Sequence, residues 1–127
     1  MTILGIDWGE AKLGLALSVG RIAEPYEVVR YSDTKILKET LAEIIKSQNV
    51  DKIVVGVSEG KSGEAAKVFG QEIGKLGTQV VFFDESLSTL EARELSRQAG
   101  IKRKKARALE DAFAAAVMLQ SFLDSYV

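Results

Sequence analysis

Thr2-Ile-Leu-Gly-Ile-Asp-Trp-Gly-Glu-Ala-Lys-Leu-Gly-Leu-Ala-Leu-Ser18 decides the fold of this 127-residue chain. Ile3 to Ile6 is an apolar run with the character of a buried strand. It breaks at Asp7, because a carboxylate inside such a strand is costly unless it is paired. The pattern therefore places Asp7 at the strand's end. Trp8-Gly9-Glu10-Ala11 then turns the chain. From Lys12 to Ser18 the residues alternate, with Leu13, Leu15 and Leu17 on one face and Gly14, Ala16 and Ser18 on the other. This predicts a second strand, antiparallel to the first, with one bulky face and one nearly bare. A bare face admits a helix or another backbone at close range.

Asp7 has two readings. Aspartate is an ordinary turn or capping residue. It is also the kind of acid that serves chemistry at the carboxyl end of a sheet strand. Partners elsewhere in the chain decide between them.

Working outward, Val19-Gly20-Arg21 makes a turn and Ala23 to Tyr31 a third strand, with Pro25 marking an irregular start or an edge. Ser32 or Asp33 caps a helix whose Ile36, Leu37, Leu41, Ile44 and Ile45 recur at helical spacing, ending near Gln48-Asn49. Asp51 to Val57 is a β-branched run, expected as a strand buried on both faces. Ser58 to Gly63 follows as a loop, then a helix from about Glu64 to Leu76 with Gly77 as its stop. Gln79 to Phe83 is expected as another buried strand, ending on Asp84-Glu85. Ser88-Thr89 with Glu91 opens a helix through Ala99-Gly100 in the manner of a capping box. Ile101 to Arg107 is a basic connector, and a last helix runs from about Ala108 to Ser125. A meander followed by strand–helix alternation predicts an α/β fold: a mixed sheet of about five strands flanked by helices, in a single domain over residues 1–127.

Composition narrows the chemistry. The chain has no cysteine and no histidine. That excludes disulfides, thiolate or imidazole metal sites, and the serine–histidine triad. A metal would be held by carboxylates and water, which suits Mg²⁺ or Mn²⁺. No signal-peptide pattern and no membrane-length apolar run occur, so the expectation is a cytoplasmic protein that does not engage a membrane. The net charge is −1, so attraction to phosphate must come from local patches.

The acids fall at element ends. Asp7 ends the first strand and Asp84-Glu85 the last. Glu110-Asp111 is expected in the first turn of the final helix. Ala112, Ala114, Ala115 and Ala116 let that helix press close to the sheet, and Asp111 shares a side with Ala115 and Met118. Glu110 is read as an acid favoured by the helix dipole, worth ~0.3–1 kcal/mol. Three carboxylates converging at one sheet edge repel unless a divalent cation lies between them. Such a cluster is what two-metal phosphodiester hydrolysis needs, and it requires no histidine.

In these motifs the chain resembles the YqgF/RuvX family of pre-16S ribosomal RNA nucleases, also described as Holliday-junction-resolvase-like proteins. Four blocks carry the resemblance: Gly5 to Ser18, Ile53 to Val57 with its Gly/Ser loop, Asp84 to Thr89, and Asp111 to Asp124. They span nearly the whole chain in the family's order. The resemblance implies an RNase H-like fold, with Asp7, Glu85 and Asp111 as catalytic, metal-coordinating acids. The chain also departs from the family. Ala11 replaces a basic residue, Val19 an acid and Ser58 a proline, with a shortened loop after it. Ser86 replaces an arginine, removing a donor suited to phosphate.

The expected activity is therefore metal-dependent endonucleolytic cleavage of structured RNA, implied as 5′-end processing of pre-16S rRNA on ribosomal precursor particles. Cleavage of branched DNA, or nucleic-acid binding without turnover, are the alternatives. An actin-like ATPase shares the Asp-x-Gly opening, but this length leaves no room for a second lobe. Lys102, Arg103, Lys104, Lys105 and Arg107 form a basic run that is either a solvated connector or a hold on a phosphate backbone. Lys61 and the amides of Gly60 to Gly63 suit a phosphate at the next helix's N-terminus, although the spacing is not a Walker motif. With Lys12 these are the candidate nucleic-acid contacts. A monomer and a homodimer both remain open; a junction resolvase requires the dimer.

Overall fold

The computed structural model describes residues 1–9, 12–57, 61–84 and 103–125, side chains at 61–63, 84 and 103–110 excepted. The described elements run β1 (Ile3–Trp8), β2 (Lys12–Ser18), β3 (Ala23–Arg30), α1 (Thr34–Ser47), β4 (Lys52–Val57), α2 (Lys61–Gly74), β5 (Gln79–Asp84) and α3 (Arg103–Asp124). The five strands form one sheet in the order β3-β2-β1-β4-β5. β1 and β2 are antiparallel, as are β2 and β3, whereas β4 and β5 lie parallel to β1. The carboxyl ends of β1, β4 and β5 therefore share one end of the sheet. This is the mixed α/β sheet expected from the strand pattern.

β1 continues past Asp7 to Trp8, one residue beyond the expected stop. Asp7 pairs with Gly14 on one side and Gly56 on the other, so its backbone remains in both ladders. Asp7 is half-buried, near the strand's end. β2 has the bounds that its alternation predicts.

Strand alternation divides the core into two layers. Leu4, Ile6, Leu13, Leu15, Ile53 and Val55 pack against Leu37, Leu41 and Ile44 of α1 and Ile73 of α2. On the opposite face, Ile3, Ala16 and Val54 meet Ala115, Met118, Leu119 and Phe122 of α3. β4 is buried on both faces, as its β-branched run predicts. β5 is not. It lies at the sheet's edge and Phe82 is 37% exposed, correcting the expectation of a buried strand. An apolar run records affinity for the core but not whether a further strand covers its flank. Phe83 still engages α3, edge-on to Phe122 at 5.7 Å between ring centroids.

Asp33 caps α1, its Oδ1 accepting the Lys35 amide at 2.8 Å. Ile36 leaves the apolar stripe and is exposed, while Leu37, Leu41 and Ile44 are buried. α2 begins at Lys61, inside the expected loop, and ends at Gly74. Gly77 adopts φ +93 in the turn that follows. The helix expected from Ser88 to Gly100 lies outside the described residues.

α3 differs most from its expected bounds. It starts at Arg103, not Ala108, so residues 103–107 are helix and not connector. Glu110 and Asp111 consequently lie two turns into the helix, and a first-turn dipole role does not apply to Glu110. Runs of lysine and arginine are good helix formers once solvated, which hides such a start in a charge-based reading. Gln120 fixes the helix along its axis. Its Oε1 accepts the Ala23 amide and its Nε2 donates to the Arg21 carbonyl, each at 2.9 Å.

Candidate active site

The site is built over Gly14. A Cβ placed there would lie 1.8 Å from the Asp111 carbonyl oxygen and 3.0 Å from the Ala112 nitrogen. Both are backbone atoms, so no side-chain rotation would relieve the overlap. Gly14 lets α3 rest directly on β2 and brings Asp111 to the sheet. Asp7 is Gly14's partner across the β1–β2 ladder. Opposite residues of an antiparallel pair project to the same face. Asp7 also shares its strand face with Ile3 and Gly5, which meet α3. Asp7 thus shares the α3 face with Gly14, the glycine on which the Asp111 backbone rests.

Lys12 shares this face with Gly14 and Ala16. Its ammonium Nζ lies 2.9 Å from Asp111 Oδ2, in a pair whose side chains are 43% and 31% exposed. An exposed pair of this kind contributes roughly 0–1 kcal/mol. It nevertheless marks Asp111 as an acid that draws a cation. Carboxylate oxygens are hard donors, the kind that Mg²⁺ and Mn²⁺ take as ligands.

Glu85 lies outside the described residues. The residue before it, Asp84, ends β5 in register with Val57, at the same end of the sheet as Asp7. Among the described residues no group of three or more acids forms a metal cluster. Lys61 and residues 103–107 have described helical backbones, but their side chains, like the whole of Lys102, lie outside the described residues. Ala11, Ser58 and Ser86 also lie outside the description. Val19 is exposed in the β2–β3 turn, away from Asp7 along β2.

Two features of the site escape a local reading. The bare face of β2 predicts close approach, but not that Asp111 is what approaches Gly14. Tyr31 also supports the hairpin, its hydroxyl donating to the Gly9 carbonyl at 2.8 Å. Twenty-two positions separate these residues, and no spacing pattern signals their contact.

The family model described as "RuvX: Holliday junction resolvase" matches residues 1–125. The chain belongs to the RuvX family. Similar relatives include a "Putative pre-16S rRNA nuclease" of Bacillus mycoides (strain KBAB4), 38% identical over 136 residues, covering 98% of this chain and 99% of the relative. A protein of the same name from Anaeromyxobacter sp. (strain Fw109-5) is 39% identical over 133 residues, covering 98% and 97%. Both alignments exceed the length of this RuvX-family chain, so each relative has residues that it lacks.

Among solved structures, T. thermophilus RuvC in complex with Holliday junction substrate matches with a TM-score of 0.62 at 18% identity, covering 99% of this chain and 96% of that one. Fowlpox virus resolvase in complex with substrate Holliday junction DNA matches with a TM-score of 0.66 at 14% identity, covering 100% and 99%. The fold is RNase H-like, as the sequence resemblance implies. Among the described residues no helix is long and apolar enough to cross a membrane.

Proposed function

We propose that this chain is a divalent-metal-dependent endonuclease that cleaves phosphodiester bonds in structured RNA. The substrate we assign is precursor 16S rRNA, the molecule named in its relatives, met as RNA or within ribosomal precursor particles. The observation that carries this reading is the placement of Asp7 and Asp111 on one face across Gly14, at the end of the sheet where β5 leads into Glu85. Family membership supplies the reaction class.

In this reading Asp7, Glu85 and Asp111 hold Mg²⁺ or Mn²⁺. When bound, the metal would activate water and stabilise the charge that develops at the scissile phosphate. The remaining work belongs to the protein. Asp7 and Asp111 are positioned about Gly14, which keeps helix and strand in contact. Lys12 offers a cation beside the reacting phosphate. Lys61, Lys102, Arg103, Lys104, Lys105 and Arg107 hold flanking backbone, setting affinity and not the bond-breaking step. The cytoplasm is the compartment this reading assigns.

A second reading, cleavage of branched DNA by the same acids, is favoured by the junction DNA named for both structural neighbours. It requires two sites per junction and hence a dimer. One assay separates the readings. Single-stranded RNA, precursor rRNA and a four-way DNA junction are incubated with Mg²⁺ or Mn²⁺, with Asp7→Asn alongside. Metal-dependent cleavage of precursor rRNA that Asp7→Asn severely reduces is expected. Preferential junction cleavage would select the second reading. Binding of RNA without cleavage under either metal would leave a non-catalytic binding module.

A further inference from the structure

Lys12 and Asp111 meet beside Gly14, where an added Cβ would overlap the Asp111 carbonyl oxygen. The ammonium sits 2.9 Å from Asp111 Oδ2 on the face that also carries Asp7. Both members keep solvent contact. A pair of this exposure is favoured over its separated state by no more than about fivefold. A divalent cation brings twice the charge to the same carboxylate. It also repels the ammonium at short range. Lysine's flexible stem and three donors let the head group swing away without moving β2. Phosphate of a nucleic acid bound at this face offers the freed ammonium another anion.

We propose that Lys12 is an internal counter-ion of Asp111 that a divalent cation displaces, and that the released ammonium then engages the phosphate backbone of the nucleic acid. This rests on the reading of Asp7 and Asp111 as metal ligands. Its consequence is positive coupling between metal and nucleic acid through one side chain. Without metal, Lys12 is held on Asp111. With metal, it is delivered to phosphate. Because coupling is reciprocal, bound nucleic acid strengthens metal binding by the same factor.

The test titrates Mn²⁺ calorimetrically into the full chain as wild type, Lys12→Met and Lys12→Arg. Lys12→Met keeps the stem and removes the charge, and should bind Mn²⁺ about two- to fivefold more tightly than wild type. Lys12→Arg should restore the wild-type value. Equal affinities of wild type and Lys12→Met would overturn the exchange while leaving the metal reading intact. Failure of every variant to bind Mn²⁺ would overturn both.

A second arm measures affinity for a labelled RNA stem–loop in EDTA, using wild type, Asp111→Asn, Lys12→Met and the double variant. Asp111→Asn should tighten binding severalfold by freeing Lys12, and this gain should largely vanish in the Lys12→Met background. An equal gain in both backgrounds would mean that Asp111 simply repels RNA, and would overturn the role of the released lysine. So would absence of RNA binding in all four proteins, with the Mn²⁺ result still deciding the counter-ion.

Discussion

The two faces of the sheet come from the same strands and serve opposite ends. Toward α1 and α2, β1 and β2 present Leu4, Ile6, Leu13 and Leu15, all fully buried. Toward α3 they present Gly5, Gly14 and Ala16, over which Leu119, Asp111 and the alanines of the helix lie close. The first face fills space with branched side chains, each worth roughly 1.5–3 kcal/mol when fully buried. The second removes side chains so that a helix backbone can touch a strand. Thick packing stabilises the fold. Thin packing positions groups, and Asp7 and Asp111 stand at the thin face.

That contrast is broken most severely by a change that leaves packing alone. Asp7→Asn should lower cleavage by about 10²–10³-fold, the scale for losing one group that stabilises transition-state charge. RNA binding should change little, as parallel cleavage and filter-binding assays would show. Next is the thick face. Leu15→Ala should cost ~2–5 kcal/mol of stability, read by urea unfolding, while cleavage per folded molecule stays near wild type. Loss of activity in fully folded Leu15→Ala would mean that the faces are not separable.

Metal should act only through the thin face. Mg²⁺ or Mn²⁺ at about a hundred times its dissociation constant should stabilise the native state by ~2.7 kcal/mol, seen as a rise in Tm. Asp7→Asn should weaken that rise. Gly14→Ala should cost ~1–3 kcal/mol by overpacking. Unlike Leu15→Ala, it should also blunt the metal response, because α3 must lift and carry Asp111 with it. An undiminished metal response in Gly14→Ala would refute the positioning role of this contact.

The smallest effect belongs to the outer surface of the thick face. Lys38 and Lys75 bond Glu72 at 2.7 and 3.1 Å, and the Lys38 hydrogen bond is the leading cause of a carboxyl pKa below the ordinary 4.5. A folded-state pKa held below the unfolded one adds stability above the unfolded pKa, and the gain is lost as pH falls through the folded value. Wild type should therefore be slightly more stable than Glu72→Gln near neutrality, and the two Tm curves should converge in acid as pH falls from the ordinary carboxyl value through the lowered one. Solvent around the pair keeps the difference small.

Local pattern determined much of this protein. Alternation from Lys12 to Ser18 predicted β2, its bare face and its partner strand, because strand periodicity is written in neighbouring residues. The β-branched run from Ile53 to Val57 marked the twice-buried β4, and Asp33 was among the two expected caps of α1. The acids at Asp7 and Asp111 stood out in sequence because each interrupts an apolar pattern. Other features were decided by tertiary structure alone. They include the edge position of β5, the seat of Asp111 on Gly14, and the Lys12–Asp111 pair. Each depends on the register between segments far apart in the chain. Helical and strand periods specify which face a residue occupies. They do not specify which residue of a distant element lies opposite it, and that choice follows from how side chains, or their absence at Gly14, let two backbones meet.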